Sequence, residues 1–272
     1  KKKKNANTVG NYNVVVGDNA MGGNVDGSRN TAIGYAALYT MDPSSAADTH
    51  NTAVGFEALK FTTTGTNNVG VGSHTLQSNT TGTNNVAMGY NALQFNTTGQ
   101  ENVAIGKGAL DANTTASSNV GVGNNALGAN TTGTANVAVG AASLDANTTA
   151  SYGTGIGYEA LTTNTTGGYN TGVGFWALKL NTTGAENTAI GVGALAANTT
   201  ASYNTAMGSG ALDACTNASH NTAIGFNAGG AITVGGGNTL VGSGAGDALT
   251  GSNGKWNTSV GWGALGSATA VF

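Results

Sequence analysis

The chain has 272 residues with 46 Gly, one Pro, one Cys and only 8% charged residues, a composition outside the ordinary globular mixture. Its formal net charge of -3, from 9 basic and 12 acidic residues, supplies neither a basic field for nucleic acid nor an acidic tail for a cationic partner. No run of about 18 apolar residues is present to cross a membrane as a helix, and a lone Cys215 excludes an internal disulfide framework.

In chain order, Lys1 to Lys4 form the one charge run, and no apolar stretch follows them, so they do not read as the n-region of a signal peptide. Residues 1–12 read as a lead-in or cap. From Asn13 on, a phrase of the type NTAIG or NVAVG recurs with its first residue at 13, 30, 51, 68, 85, 102, 119, 136, 153, 170, 187, 204, 221, 238 and 257. Every step from 51 to 238 is seventeen residues. Gly153 alone breaks the Asn column, and extra residues near 41–48 and 250–256 read as loop insertions. Residues 13–272 are therefore one solenoid of fifteen tandem units.

Within a unit, the fourth position after the anchor Asn is always Gly: Gly17, Gly34, Gly55, Gly72, Gly89, Gly106, Gly123, Gly140, Gly157, Gly174, Gly191, Gly208, Gly225, Gly242 and Gly261. That invariance within one chain predicts a turn needing positive φ or close backbone approach. The position fourteen after the anchor switches between Gly (82, 99, 133, 167) and Ala (116, 150, 201, 218). A turn there does not require positive φ.

The three residues after the anchor are Val or Thr, then a small residue, then Val, Ile or Met, which predicts a short strand. Its large side chains are expected to face the coil interior. Its small ones, Ala32, Ala53, Ala87, Ala104, Ala138, Gly155, Gly172, Ala189, Ala206 and Ala223, are expected to face outward and form the subunit interface. Eight residues after the anchor, Leu recurs in twelve units, including Leu38, Leu93, Leu110 and Leu178. The segment around it reads as a second short strand or an extended turn, because it is too short to hold itself as a helix. Eleven after the anchor, Asn79, Asn96, Asn113, Asn130, Asn147, Asn164, Asn181 and Asn198 form an unbroken column flanked by Thr62 and Cys215. Identical amides stacked at about 4.8 Å can hydrogen-bond as a ladder. The same NTT phrases match the N-glycosylation acceptor, but glycans on every rung would crowd, so the ladder is the preferred reading.

These features predict an all-β parallel β-solenoid of about fifteen 17-residue rungs, roughly 70 Å long at a 4.8 Å rise. Each rung carries few large apolar residues against an ordering cost of roughly 1 to 2 kcal/mol per residue. Such thin coils are expected to need partners.

The phrases NTAIGYAAL (30–38), NVAIGKGAL (102–110) and NTAIGVGAL (187–195) resemble the head repeats of trimeric autotransporter adhesins and related bacteriophage tail-fibre proteins. The resemblance covers nearly the whole chain. It implies a left-handed β-roll, a homotrimer of side-by-side chains, and an adhesive or fibre role at a cell surface or on a virion.

Motifs for chemistry are sparse. His50, His74 and His220 fall in separate rungs, Cys215 has no His beside it, and Asp111, Asp145 and Asp213 skip rungs. No catalytic set, metal cluster, calcium ladder or phosphate-binding loop follows, and no cofactor is expected. The position five after the anchor varies most, with Tyr35, Phe56, Tyr90, Tyr158, Phe175, Phe226 and Trp262 among Ser, Lys, Asn and Ala. It is expected to face outward as a contact surface for glycans, a host receptor or a neighbouring chain. The leading expectation is a non-enzymatic extracellular fibre or adhesin segment. A head-to-tail polymerising filament subunit is the alternative, suggested by the uncapped GWGALGSATAVF. An ice-binding protein ranks third, since the column after the anchor mixes Thr with Val.

Overall fold

A computed structural model describes residues 10–43, 47–250 and 254–266. The described part is an all-β parallel solenoid in two compact units, residues 1–135 and 136–272. The first unit holds β1 (Val14–Val16), β2 (Gly27–Ser28), β3 (Thr31–Ile33), β4 (Ala47–Asp48), β5 (Thr52–Val54), β6 (Val69–Val71), β7 (Val86–Met88), β8 (Val103–Ile105) and β9 (Val120–Val122). The second holds β10 (Val137–Val139), β11 (Thr154–Ile156), β12 (Thr171–Val173), β13 (Thr188–Ile190), β14 (Thr205–Met207), β15 (Thr222–Ile224), β16 (Thr239–Val241) and β17 (Thr258–Val260).

Within each unit, each coil contributes one three-residue strand, stacked in parallel and in register on the same strand of the next coil. Val86, Ala87 and Met88 pair with Val103, Ala104 and Ile105, and Thr188, Ala189 and Ile190 pair with Thr205, Ala206 and Met207. The longer coils keep this register: Thr31 pairs with Thr52 and Thr239 with Thr258. Between the coil that starts at Asn13 and the one that starts at Asn30, β2 pairs with β4, and Arg29 Nε lies 2.8 Å from Asp48 Oδ2.

The segment around the recurrent Leu is a turn, not a second strand. Leu38, Leu59, Leu93, Leu110 and Leu178 sit in the left-handed region at φ between 50° and 54°. Two further positions per coil do the same, for example Glu57 (φ 55°) and Glu101 (φ 58°). Left-handed backbone costs a non-glycine residue about 1–2 kcal/mol, whereas fully burying a Leu gains about 1.5–3 kcal/mol. Leu38 through Leu212 in this column are fully buried, so burial wins at each rung.

The invariant Gly column has the backbone expected of it. Gly106 has φ 130°, and a Cβ there would lie 2.5 Å from the carbonyl oxygen of Gly123. Both the torsion and the stacking distance exclude a side chain. At the second turn Gly82 and Gly99 lack positive φ, as expected of a column that accepts Ala116 and Ala150. Close stacking still marks that turn, since a Cβ on Gly99 would meet the Ala116 carbonyl oxygen at 2.3 Å.

The two faces of the strand are the reverse of the sequence expectation. Ala32, Ala53, Ala87, Ala104, Ala138, Ala189, Ala206 and Ala223 are all 0% exposed in the single chain, and Gly155 and Gly172 are buried with them. They line the coil interior and cannot form a subunit interface. The large residues on either side point outward. The reason is space: one Leu per rung fills the narrow interior and reaches the strand. A Cβ on Gly70 would lie 2.5 Å from Leu59 Cδ1, and one on Gly172 3.3 Å from Leu161 Cδ1. A Val or Ile pointing inward would have nowhere to go.

Candidate functional site

The outward strand residues form two columns on each unit's sheet. One is Val or Thr in every coil, the other Val, Ile or Met, and neither contains a charged residue from Val14 to Val260. Ile33, Met88 and Ile105 on the first unit, and Ile156, Ile190, Met207 and Ile224 on the second, are 37–43% exposed. Two columns about 10 Å wide rising about 4.8 Å per rung give each unit roughly 300–400 Å² of flat uncharged surface, its first column almost all Thr on the second unit. That is the extent of the largest apolar patch on an ordinary monomer, a patch that is often functional.

Aromatic side chains flank this face. Tyr35, Phe56, Tyr90, Tyr158, Phe175, Phe226 and Trp262 are all exposed, from 42% for Phe175 to 87% for Trp262. Five of the seven make ring contacts along the coil. Tyr35 and Phe56 stack at 5.2 Å, Phe56 meets His74 edge-on at 5.3 Å, and His74 meets Tyr90 at 5.9 Å. On the second unit Tyr158 stacks on Phe175 at 5.6 Å. A second aromatic column, not read from the sequence, stands just before the anchor. There Tyr152 stacks on Tyr169 at 4.9 Å and Tyr203 on His220 at 5.0 Å. Its signal was the spacing of those aromatics, hidden because the column also takes Asn67, Glu101 and Ser118.

The Asn column is a buried amide ladder. Asn96 Nδ2 donates to Asn79 Oδ1 at 2.8 Å and to the Gly99 carbonyl at 3.0 Å. Asn113 and Asn130 repeat the pattern in the first unit, and Asn164, Asn181 and Asn198 in the second, where Asn147 provides the first amide oxygen. All eight ladder amides are at most 1% exposed, so the folded chain offers no glycan acceptor on this column. The Thr that follows contributes its hydroxyl: Thr80 Oγ1 donates to the Thr97 carbonyl at 2.9 Å. The anchor Asn forms a second ladder, which the sequence reading used only as a landmark. Asn85 Oδ1 accepts from the backbone N–H of Asn102 at 3.0 Å and from its side-chain amide at 3.1 Å. Asn85 Nδ2 also spans the coil to the Gly99 carbonyl at 2.9 Å. Where Gly153 interrupts the column, Asn170 Nδ2 reaches back to the Gly167 carbonyl at 3.1 Å.

The remaining polar candidates stay apart. Among the described residues no group of three or more His, Cys, Asp or Glu could hold a metal ion. His74 contacts Ser73 Oγ at 3.1 Å and lies 3.8 Å from Glu57 Oε2. Cys215 is buried, its Sγ donating to the Ala218 carbonyl at 3.3 Å, and burial pushes the thiol up to about 11. Burial likewise raises Asp111 and Asp145 above the usual carboxylate range. It is also the largest cause of the rise at Asp213, with Asp247 nearby adding to it. No helix among the described residues is long and apolar enough to cross a membrane. The C-terminal residues 267–272 named in the filament reading lie outside the described residues.

Comparison with protein-family profiles, curated proteins and solved structures finds no match to this chain.

Proposed function

We propose that the chain is a non-enzymatic structural segment of an extracellular fibre or adhesin, on a virion or a cell surface, in which copies of the chain pack side by side through the outward sheet face. The observation that carries this reading is the uncharged column from Val16 to Val260, whose Ile and Met side chains stay more than a third exposed in one chain. A strand face with no assembly role would be expected to admit Lys, Glu or Asn, as the position five after the anchor does. The resemblance of the AIG repeats to trimeric adhesin heads is the support for three chains.

Packing the sheet faces of several copies around an axis buries the apolar area that thin coils lack. The aromatic columns then flank the contact and remain available to a ligand or receptor. Identical chains multiply any weak site on them through effective concentration.

The test is native mass by light scattering together with negative-stain images. Short particles of trimer mass, falling to monomer mass in the Ile105→Glu/Ile190→Glu double variant, support the reading. A wild-type monomer, or a variant with unchanged mass, overturns the sheet-face assembly. Long fibres would instead favour head-to-tail polymerisation.

A further inference from the structure

The turn side of the second unit carries a trench of about 620 Å³. It exists because two successive rungs are small where their neighbour is large. The rung that begins at Asn170 raises Trp176, Lys179 and Leu180; the next two present Gly193, Ala196, Ala197 and Gly210 at the equivalent places, and Asp213 and Asn227 close the far end. The floor at Gly193 is open, with no atom within 4 Å of a Cβ placed there.

The raised wall is braced. Lys179 Nζ lies 2.8 Å from Glu159 Oε2 and 3.9 Å from the centre of the Trp176 ring. Glu159 therefore already partners the lysine charge. At the other end stands the Asp213 carboxylate, with the Asn227 amide beside it. Trp176, Leu180 and Val192 supply apolar wall, each at least 39% exposed.

That arrangement selects by charge. An anionic ligand would meet the Asp213 carboxylate, and the lysine charge that could balance it is already partnered by Glu159. A neutral ligand with one apolar face and hydroxyls that both donate and accept suits the aromatic and aliphatic wall, the carboxylate acceptor, the amide and the Ser209 hydroxyl together. The trench has the size of an ordinary small-ligand site, and its three-rung span is about 14 Å at 4.8 Å per rung, long enough for two linked sugar rings.

We propose that this trench binds an uncharged disaccharide unit of a glycan. The proposal rests on the display role argued above and names what the display would engage.

The test titrates the full-length chain with lactose, maltose, cellobiose and chitobiose by saturation-transfer NMR. Parallel titrations use 3′-sialyllactose and an Arg-rich peptide. Two variants accompany the wild type: Trp176→Ala removes the wall, and Ala196→Gln fills the floor with a residue this position already holds at Gln77 and Gln94. The expected result is millimolar binding of at least one neutral disaccharide, weakened tenfold or more by both variants, with circular dichroism melting unchanged for Ala196→Gln. Absence of binding across the neutral panel, binding indifferent to Ala196→Gln, or preference for the charged probes overturns the proposal. Native mass is recorded on the same samples, so a monomer that still binds sugar sinks the assembly reading and leaves this one standing.

Discussion

Thr62 Oγ1 is buried without a hydrogen-bond partner, one rung before Asn79, where the ladder of side-chain amides begins. Asn79 donates to the Gly82 carbonyl at 3.1 Å, but the residue beneath it offers a hydroxyl in place of an amide oxygen. Thr62→Asn should extend the ladder by one rung, supplying an acceptor to Asn79 and a donor to the Gly65 carbonyl. A buried hydrogen bond contributes about 0.5–1.5 kcal/mol net, so the midpoint of urea unfolding should rise. A lower midpoint would mean the side chain beneath Asn79 is fixed by packing rather than by the ladder.

The other end of the ladder predicts a different result. Asn198 Oδ1 is buried without a partner because Cys215 follows it. Cys215→Asn would satisfy that oxygen, but its own amide oxygen would then face the buried Ile232. The orphan acceptor moves one rung on, and stability should change by less than about 0.5 kcal/mol. Because burial pushes the wild-type thiol up to about 11, Cys215 should react with a disulfide reagent at pH 8 only in denaturant. Fast labelling of the folded chain would contradict the buried placement.

Asp111 predicts a pH effect. Its pKa is raised by burial, and its Oδ1 has no hydrogen-bond partner. In the folded chain the protonated form is favoured relative to the unfolded chain. Between the unfolded value near 3.8 and the raised folded value, the native state therefore binds more protons, and stability falls as pH rises through that window. Asp111→Asn should raise the melting temperature at pH 7 and leave it nearly unchanged at pH 3. The gain should be a few tenths of a kcal/mol, since the carboxyl remains partly solvated and screened. Equal shifts at both pH values would assign the effect to packing.

The period, the parallel stacking and the glycine turn were legible because each repeats at one column and has one physical cause. The direction of the strand faces was not. Alternation shows that Ala104 and Ile105 point opposite ways, but not which side is the interior. That was decided by Leu110 and its equivalents, which fill the coil from a left-handed turn that Leu does not advertise in sequence. Similarly, Asn79 was legible as a ladder because its column is buried and uniform. The aromatic column at Tyr152 and Tyr169 was masked by the polar residues that share its position, and the trench beside Trp176 arises from what Gly193 and Ala196 lack.

The two glycine turns should respond differently to a methyl group or more. Gly106→Val meets both a φ of 130° and the Gly123 carbonyl oxygen 2.5 Å from its Cβ, and should abolish a folded coil there. Gly133→Ala occupies the column that already holds Ala116 and Ala150, and should cost about 1 kcal/mol or less. Circular dichroism melting separates them; equal loss of structure would show that stacking distance, common to both turns, outweighs the torsion.

The core itself predicts a compensating pair. At two rungs the Leu column reads Gly229 and Gly246, and between them the small strand column reads Leu240. Leu240 Cδ1 lies 2.7 Å from where a Cβ on Gly229 would stand, and its Cδ2 lies 2.7 Å from that on Gly246. Arriving from the strand, Leu240 shares with Ile232 and Leu249 the volume that two turn leucines fill elsewhere. Leu240→Ala should leave a cavity and cost about 2–5 kcal/mol. Gly229→Leu alone should overpack the coil, at about 1–3 kcal/mol, although its φ of 63° lies in the same left-handed region as the leucines of the other rungs. Combined, the two changes move the apolar volume from the strand to the turn, where the regular coils carry it, so the double variant should be more stable than the sum of the single losses implies. A coupling energy of at least about 1 kcal/mol in a double-mutant cycle is the expected outcome. Simple additivity would mean that the two positions do not share one space, and the small face of the strand would lose its assignment to the coil interior.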